Sequence, residues 1–231
     1  MRKLGLIGGM TWVATHRYYK RISEIVRREV DTRAAPNMAI ESLDFSQIYR
    51  LQTDEDWTEA ARLVGDAAKR LADGGADLIV IGANALHKIQ PQIADKVGVP
   101  FLHIAECVGK RVAADGIARA ALLVTRSVML ESYFRRHLVS QGIDLLPPDM
   151  AQVDELERIV FEELMVGKVR KDSERALRTM LHDSGRDGAQ AAILACAELE
   201  MVVDIDATVL PVYDSMEIHA EDAAHWLVGK D

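Results

Sequence analysis

The chain has 231 residues, 49% of them apolar, with 28 Lys+Arg against 36 Asp+Glu for a formal charge of −8. That size and balance describe a globular protein with a sizeable core, and the acidic surplus argues against a binder of nucleic acid or anionic membrane, which needs a basic face. No apolar run nears the roughly 18 residues of a membrane span. Met1-Arg2-Lys3 ahead of Leu4–Met10 is too short an apolar stretch for a secretory signal, and the two cysteines suit a reducing compartment, so a cytoplasmic protein is expected.

Short β-like runs alternate with helical patterns along the whole chain. The first predicted strand, Lys3–Ile7, runs into Gly8-Gly9-Met10-Thr11-Trp12, and Tyr18, Ile22, Ile25 and Val26 then repeat at helical spacing. Further strands are predicted at Met38–Leu43, Asp77–Ile81, Val99–His103, Ala120–Thr125, Ile143–Leu146, Ala191–Ala195 and Val209–Val212. Gly74-Gly75 and Gly167 mark helix ends. Strands alternating with helices imply parallel βαβ units, an α/β protein whose sheets are covered on both faces.

The two halves resemble each other. Gly75–Asn84 aligns with Gly188–Ala197 at an offset of 113, which pairs Ala83 with Cys196, and Pro100 aligns with Pro211 at an offset of 111. Collinear matches of this kind point to duplication. In parallel α/β folds small ligands sit beyond the carboxyl ends of the strands, which selects Gly8–Trp12, Gly82–His87, Thr125–Met129 and Cys196–Glu198. With two similar halves, these loops are expected to meet in one cleft, with Ala83 opposite Cys196.

Each candidate has a functional and a plain reading. Cys196 follows a buried strand and precedes what reads as a helix start, where aligned N–H groups favour a thiolate, so it suits a nucleophile or proton carrier; plainly, it is a small buried hydrophobe. Cys107, mid-helix by pattern, reads as packing. The Gly8-Gly9 turn could cradle an anion with Thr11 as N-cap, or be an ordinary tight turn; it matches neither GxGxxG nor a P-loop. Asn84 could orient a carboxylate and His87 add a hydrogen bond or charge, against a capping Asn with a partly exposed His. The histidines show no metal-ligand spacing, so no metal is expected.

These residues are similar to those of the aspartate/glutamate racemase superfamily. Ile7-Gly8-Gly9-Met10-Thr11-Trp12 with Thr15, Tyr18 and Tyr19 resembles its opening motif, and Leu43-Asp44-Phe45, Gln52 and Trp57 its next stretch. Gly82-Ala83-Asn84-Ala85-Leu86-His87-Lys88 resembles its C-N-T-x-H-K segment. Phe101–Ala105, Leu122–Arg126, Phe161–Leu164, Leu194–Glu198, Pro211–Asp214 and Ile218–Ala220 follow in order.

The resemblance implies two pseudo-symmetric parallel-sheet βαβ domains with the active site in the cleft between them. It implies a crossover that returns the last strand and helix to the first domain, giving residues 1–97 plus 210–231 and residues 98–209. It implies a homodimer that uses no pyridoxal phosphate or other cofactor and acts on a small amino acid or dicarboxylate. One cysteine per half then removes a proton from Cα on one face and returns one on the other. Cys196 is the retained catalytic residue, with Met10, Gln52, Asn84, Thr125 and Glu198 lining the site. Arg50, ahead of Arg126 and Lys88, is expected to pair the distal carboxylate.

The sequence departs from the pattern at Ala83, where the first cysteine belongs and where a methyl group can neither take nor give a proton. Ala85 and Ala197 replace the threonines after the two cysteines. The expectation is a racemase-like enzyme acting on aspartate- or glutamate-type substrates through Cys196, with two-base turnover crippled. The alternatives are a single-cysteine lyase or isomerase of the arylmalonate-decarboxylase kind and a non-catalytic dicarboxylate-binding protein.

Overall fold

A computed structural model describes residues 1–47, 53–203, 205 and 208–230. The chain divides into two units, residues 1–104 with 219–231, and residues 105–218.

The first unit opens with β1 (Leu4–Gly8), whose residues are all buried, and α1 (Trp12–Glu29). Thr11 starts α1, its Oγ1 accepting the Ala14 N–H at 3.1 Å, one of the donors a helix N-terminus leaves open. Val13, Ala14, Tyr18, Ile22, Ile25 and Val26 form its buried stripe. After β2 (Met38–Ser42), α2 (Asp54–Asp73) starts at a capping box in which Thr53 and Asp56 each accept the other's backbone N–H. Then come β3 (Leu78–Ile81), α3 (Gln90–Val97) and β4 (Phe101–Leu102). The strands pair in parallel in the order β2-β1-β3-β4.

The second unit contains most of α4 (Ile104–Ala114), then β5 (Arg119–Leu123), α5 (Arg126–Leu130) and α6 (Ser132–Ser140). It continues with β6 (Asp144–Leu145), α7 (Met150–Glu162), α8 (Lys171–Arg186), β7 (Ala191–Leu194) and β8 (Val212–Asp214). Its sheet is also parallel, in the order β6-β5-β7-β8. α9 (Ser215–Val228) begins here and continues into the first unit. Among the described residues no helix is long and apolar enough to cross a membrane.

The duplication is visible bond by bond. The Ile79 N–H donates to Pro100 O at 2.9 Å, and Ala192, 113 residues on, donates to Pro211 O at the same distance. Gly82 donates to Ile7 O at 2.8 Å where Ala195 donates to Leu123 O at 2.9 Å. Ala83 and Cys196 are the next residues, so they occupy equivalent places, one per unit, past the carboxyl end of the third strand.

Two expectations are corrected. The last strand starts at Val212 rather than Val209, because Pro211 has no N–H for the ladder and contributes only its carbonyl. It does not return to the first sheet, since Ala192, Ile193 and Leu194 pair with Val212, Tyr213 and Asp214. Of the closing segment, only chain from His219 onward belongs to the first unit.

Candidate active site

Parallel strands send all their carboxyl ends to one edge of a sheet. At that edge of the second unit lie Thr125 after β5, Cys196 and Glu198 after β7, and Asp214 ending β8, all four buried. The Cys196 Sγ–H donates to Glu198 Oε2 at 3.0 Å, and the thiol sits in an apolar cluster with Leu164, Leu199, Val202 and Val203. Burial first, then the charge and hydrogen bond of Glu198, push this thiol well above its ordinary value; a backbone hydrogen bond from Glu198 opposes them, and the charge of Asp214 adds a smaller push upward. The expectation of a thiolate favoured by a helix N-terminus is therefore overturned. No α-helix starts here, only a three-residue 3₁₀ turn, Leu199–Met201, and the nearest charge is a carboxylate. Burial and the neighbouring carboxylate both favour the protonated form of Cys196.

Glu198→Gln removes that charge and is expected to bring the thiol down toward ordinary acidity, raising its alkylation rate at pH 8 about tenfold or more. Peptide-resolved iodoacetamide labelling across pH checks this; an unchanged profile would show that Glu198 does not govern the thiol.

Asp214, to which sequence reasoning gave no role, has its Oδ1 accept the N–H groups of Met216 at 2.8 Å and Glu217 at 3.3 Å, which starts α9. Thr125 precedes α5 with no side-chain cap bond, its Oγ1 3.4 Å from Ser127 Oγ.

At the corresponding edge of the first unit lie the Gly8–Thr11 turn, Ala83 and Asn84. The turn is committed to packing. The Gly9 N–H donates to Thr15 Oγ1 at 2.8 Å, and a Cβ on Gly9, at φ +87°, would lie 2.1 Å from Leu43 O. The Gly9 donor that an anion cradle would use is thus engaged within the protein. Met10 is buried in an apolar cluster with Trp57 and Leu86, against which Leu43, Ala83 and Ala85 pack. Asn84 is buried and opens the 3₁₀ turn Ala85–Lys88 without capping it by its side chain, and His87 is fully buried rather than partly exposed.

Of the three cations considered for a distal carboxylate, Arg126 pairs with Asp154, and Lys88 Nζ lies 4.0 Å from the centroid of the Trp57 ring. Arg50, like Gln52, lies outside the described residues. Cys107 is buried in α4. Among the described residues no group of His, Cys, Asp and Glu converges as a metal site.

Two like halves, each a four-stranded parallel sheet, with a thiol–carboxylate pair past the third strand of the second, define a duplicated α/β protein. The Asp/Glu/hydantoin racemase family profile matches residues 7–223, and the chain belongs to that family. A crystal structure from Yersinia pestis described as a candidate Asp/Glu racemase is 34% identical, with 99% of this chain and 100% of that one covered and a TM-score of 0.90. A structure of an aspartate racemase homologue from Pyrococcus horikoshii OT3 is 30% identical over 99% of this chain and 100% of that one, with a TM-score of 0.85. The broad-specificity amino-acid racemase RacX of Bacillus subtilis (strain 168) is 25% identical over 162 residues, 69% of each protein.

Proposed function

We propose that this chain moves a proton at Cα of aspartate- or glutamate-type amino acids through Cys196, without pyridoxal phosphate. The observation that carries the reading is the Cys196–Glu198 pair. Glu198 accepts the thiol proton, the thiolate so formed takes the Cα proton of the substrate, and a carbanion remains whose charge its carboxylate delocalises. The proton now on sulfur exchanges with solvent, Cys196 delivers a proton back to the same face of the carbanion, and the thiolate left behind takes its proton back from Glu198. Because a thiol and its attached base act together, Cys196 completes an exchange cycle without help from position 83.

Asn84, Thr125 and Met10 line the substrate site in this reading, buried at the carboxyl ends of their strands. Gln52 and Arg50 join them on the strength of the sequence, Arg50 for the distal carboxylate. The enzyme is taken as cytoplasmic and homodimeric, a state that light scattering on the purified protein checks.

The test is proton exchange in D₂O with a panel of L- and D-amino acids, followed by loss of the Cα–H NMR signal. One enantiomer of an acidic amino acid is expected to exchange far faster than the two interconvert, and Cys196→Ala is expected to abolish exchange. If no amino acid in the panel exchanges, the reading falls.

A further inference from the structure

Next to the Gly82–Asn84 segment the first unit buries three imidazoles and a phenol, contributed by α1, the 3₁₀ turn, the end of β4, and α9. His87, His103, His219 and Tyr18 are all buried. The His87 ring packs edge-on against His103, with centroids 4.7 Å apart, and against His219 at 5.4 Å; His219 packs on Tyr18 at 5.7 Å. His219 Nε2 lies 3.1 Å from Leu102 O, and a carbonyl can only accept, so that nitrogen carries the hydrogen. Burial holds His219 neutral, so its Nδ1 accepts from the Tyr18 hydroxyl at 2.8 Å.

His87 is the member that reaches the site segment. Its Nε2 lies 3.1 Å from Ile81 O, at the end of β3, so the ring N–H donates there. Its backbone N–H donates to Asn84 O at 3.2 Å. One residue thus ties down the chain on both sides of Ala83: the strand end before it through the side chain, the turn after it through the main chain. Tyr18 backs the same segment, its Cδ2 3.5 Å from where a Cβ on Gly82 would stand.

We propose that His87 is a positioning residue, setting where Ala83 and Asn84 stand by closing the 81–87 loop onto the end of β3. The ring is fixed in turn by His103 and His219, so the aim of the loop depends on packing among four residues spread over some 200 positions of the chain. The consequence for substrate rests on the reading of Asn84 as a ligand-binding residue; the placement of position 83 does not.

The test uses the full chain with Ala83→Cys as a reporter, its introduced thiol labelled with iodoacetamide and followed by peptide mass spectrometry. Losing one buried hydrogen bond shifts a local opening equilibrium by about tenfold, so adding His87→Leu is expected to change the labelling rate at position 83 by a similar factor. His87→Gln, which keeps an N–H donor, is expected to bring the rate back toward the parent. A folded His87→Leu variant whose labelling rate stays that of the parent would overturn the proposal. So would a Gln variant that behaves like Leu.

If the Leu variant does not fold, amide hydrogen exchange over 82–87 in His87→Gln and His87→Asn decides. Protection should follow the side chain's ability to reach Ile81 O, and equal protection in both variants and the parent would overturn the assignment. Aspartate affinity measured on the same variants should weaken with Leu and recover with Gln. If no variant binds aspartate while the labelling pattern holds, the substrate reading fails and the positioning role stands.

Discussion

Ala83→Cys should raise amino-acid racemisation by about 10²–10⁴, the usual worth of one acid/base group. The backbone at position 83 already has the form that carries a thiol in the second unit. Gly82 repeats the Ala195 hydrogen bond to the neighbouring strand, and the sheets share one strand order. The substitution adds a single sulfur atom to a partly buried methyl group packed on the cluster of Met10 and Trp57.

The two thiols would not be alike. Glu198 stands two residues after Cys196 and raises its thiol, whereas the residue two after position 83 is Ala85. The introduced thiol therefore lacks that carboxylate and should be the easier one to ionise, acting as the base in the direction where Cys196 serves as the acid. Circular dichroism or chiral chromatography of aspartate and glutamate incubations measures the gain. Adding Cys196→Ala to the variant should remove it. If Ala83→Cys racemises none of the amino acids tested, the two-base scheme of the family is not available to this chain, and exchange on one face through Cys196 and Glu198 is all the proposed site performs.

Acidification from pH 7 to pH 5 should cost the fold about 2 kcal/mol through His219 alone. Desolvation pulls this imidazole down from an ordinary 6.5 to about 3, helped by the nearby His103 and opposed by the hydrogen bond to Leu102. The sign follows from proton counting. Below 6.5 the unfolded chain takes up a proton that the folded chain refuses until about 3, so stability is full above 6.5 and declines as pH falls across that window.

The groups facing His219 are Tyr18 on α1, His87 on the 3₁₀ turn and His103 after β4. Paired carboxylates such as Glu163, held low by Ser173 and Arg158, weaken the fold only below their usual range, which leaves the interval from pH 7 to pH 5 to histidine. His219→Gln keeps an acceptor for Tyr18 and a donor for Leu102 but cannot be protonated. Urea unfolding at both pH values should show a smaller loss for the variant than for the parent; an equal loss would mean that His219 is not the source.

Much of this architecture was legible in the sequence. Every predicted strand overlaps an observed one, because the signal is local: apolar runs of strand length between glycines and helical repeats. The caps at Thr11 and the helix ends at Gly74 and Gly167 are likewise contained in a few neighbouring residues. The duplication followed from aligned residues, and with it the equivalence of Ala83 and Cys196, since parallel strands at matching places carry matching ends.

Tertiary structure decided what depends on partners distant in the chain or on the direction of a side chain. The pairing of β8 with β7 rather than with the first sheet is a choice between edges that a three-residue strand does not announce. The state of Cys196 turned first on its burial, then on the Glu198 side chain folding back to accept its hydrogen bond and last on Asp214 coming near from the next strand, so a position read as favouring a thiolate holds a raised thiol. The cluster of Tyr18, His87, His103 and His219 joins separate elements, and its consequence is largest where water is absent. Periodicity along the chain reports which faces are apolar; it does not report which polar groups meet once those faces close, and burial is what turns such meetings into shifted proton affinities.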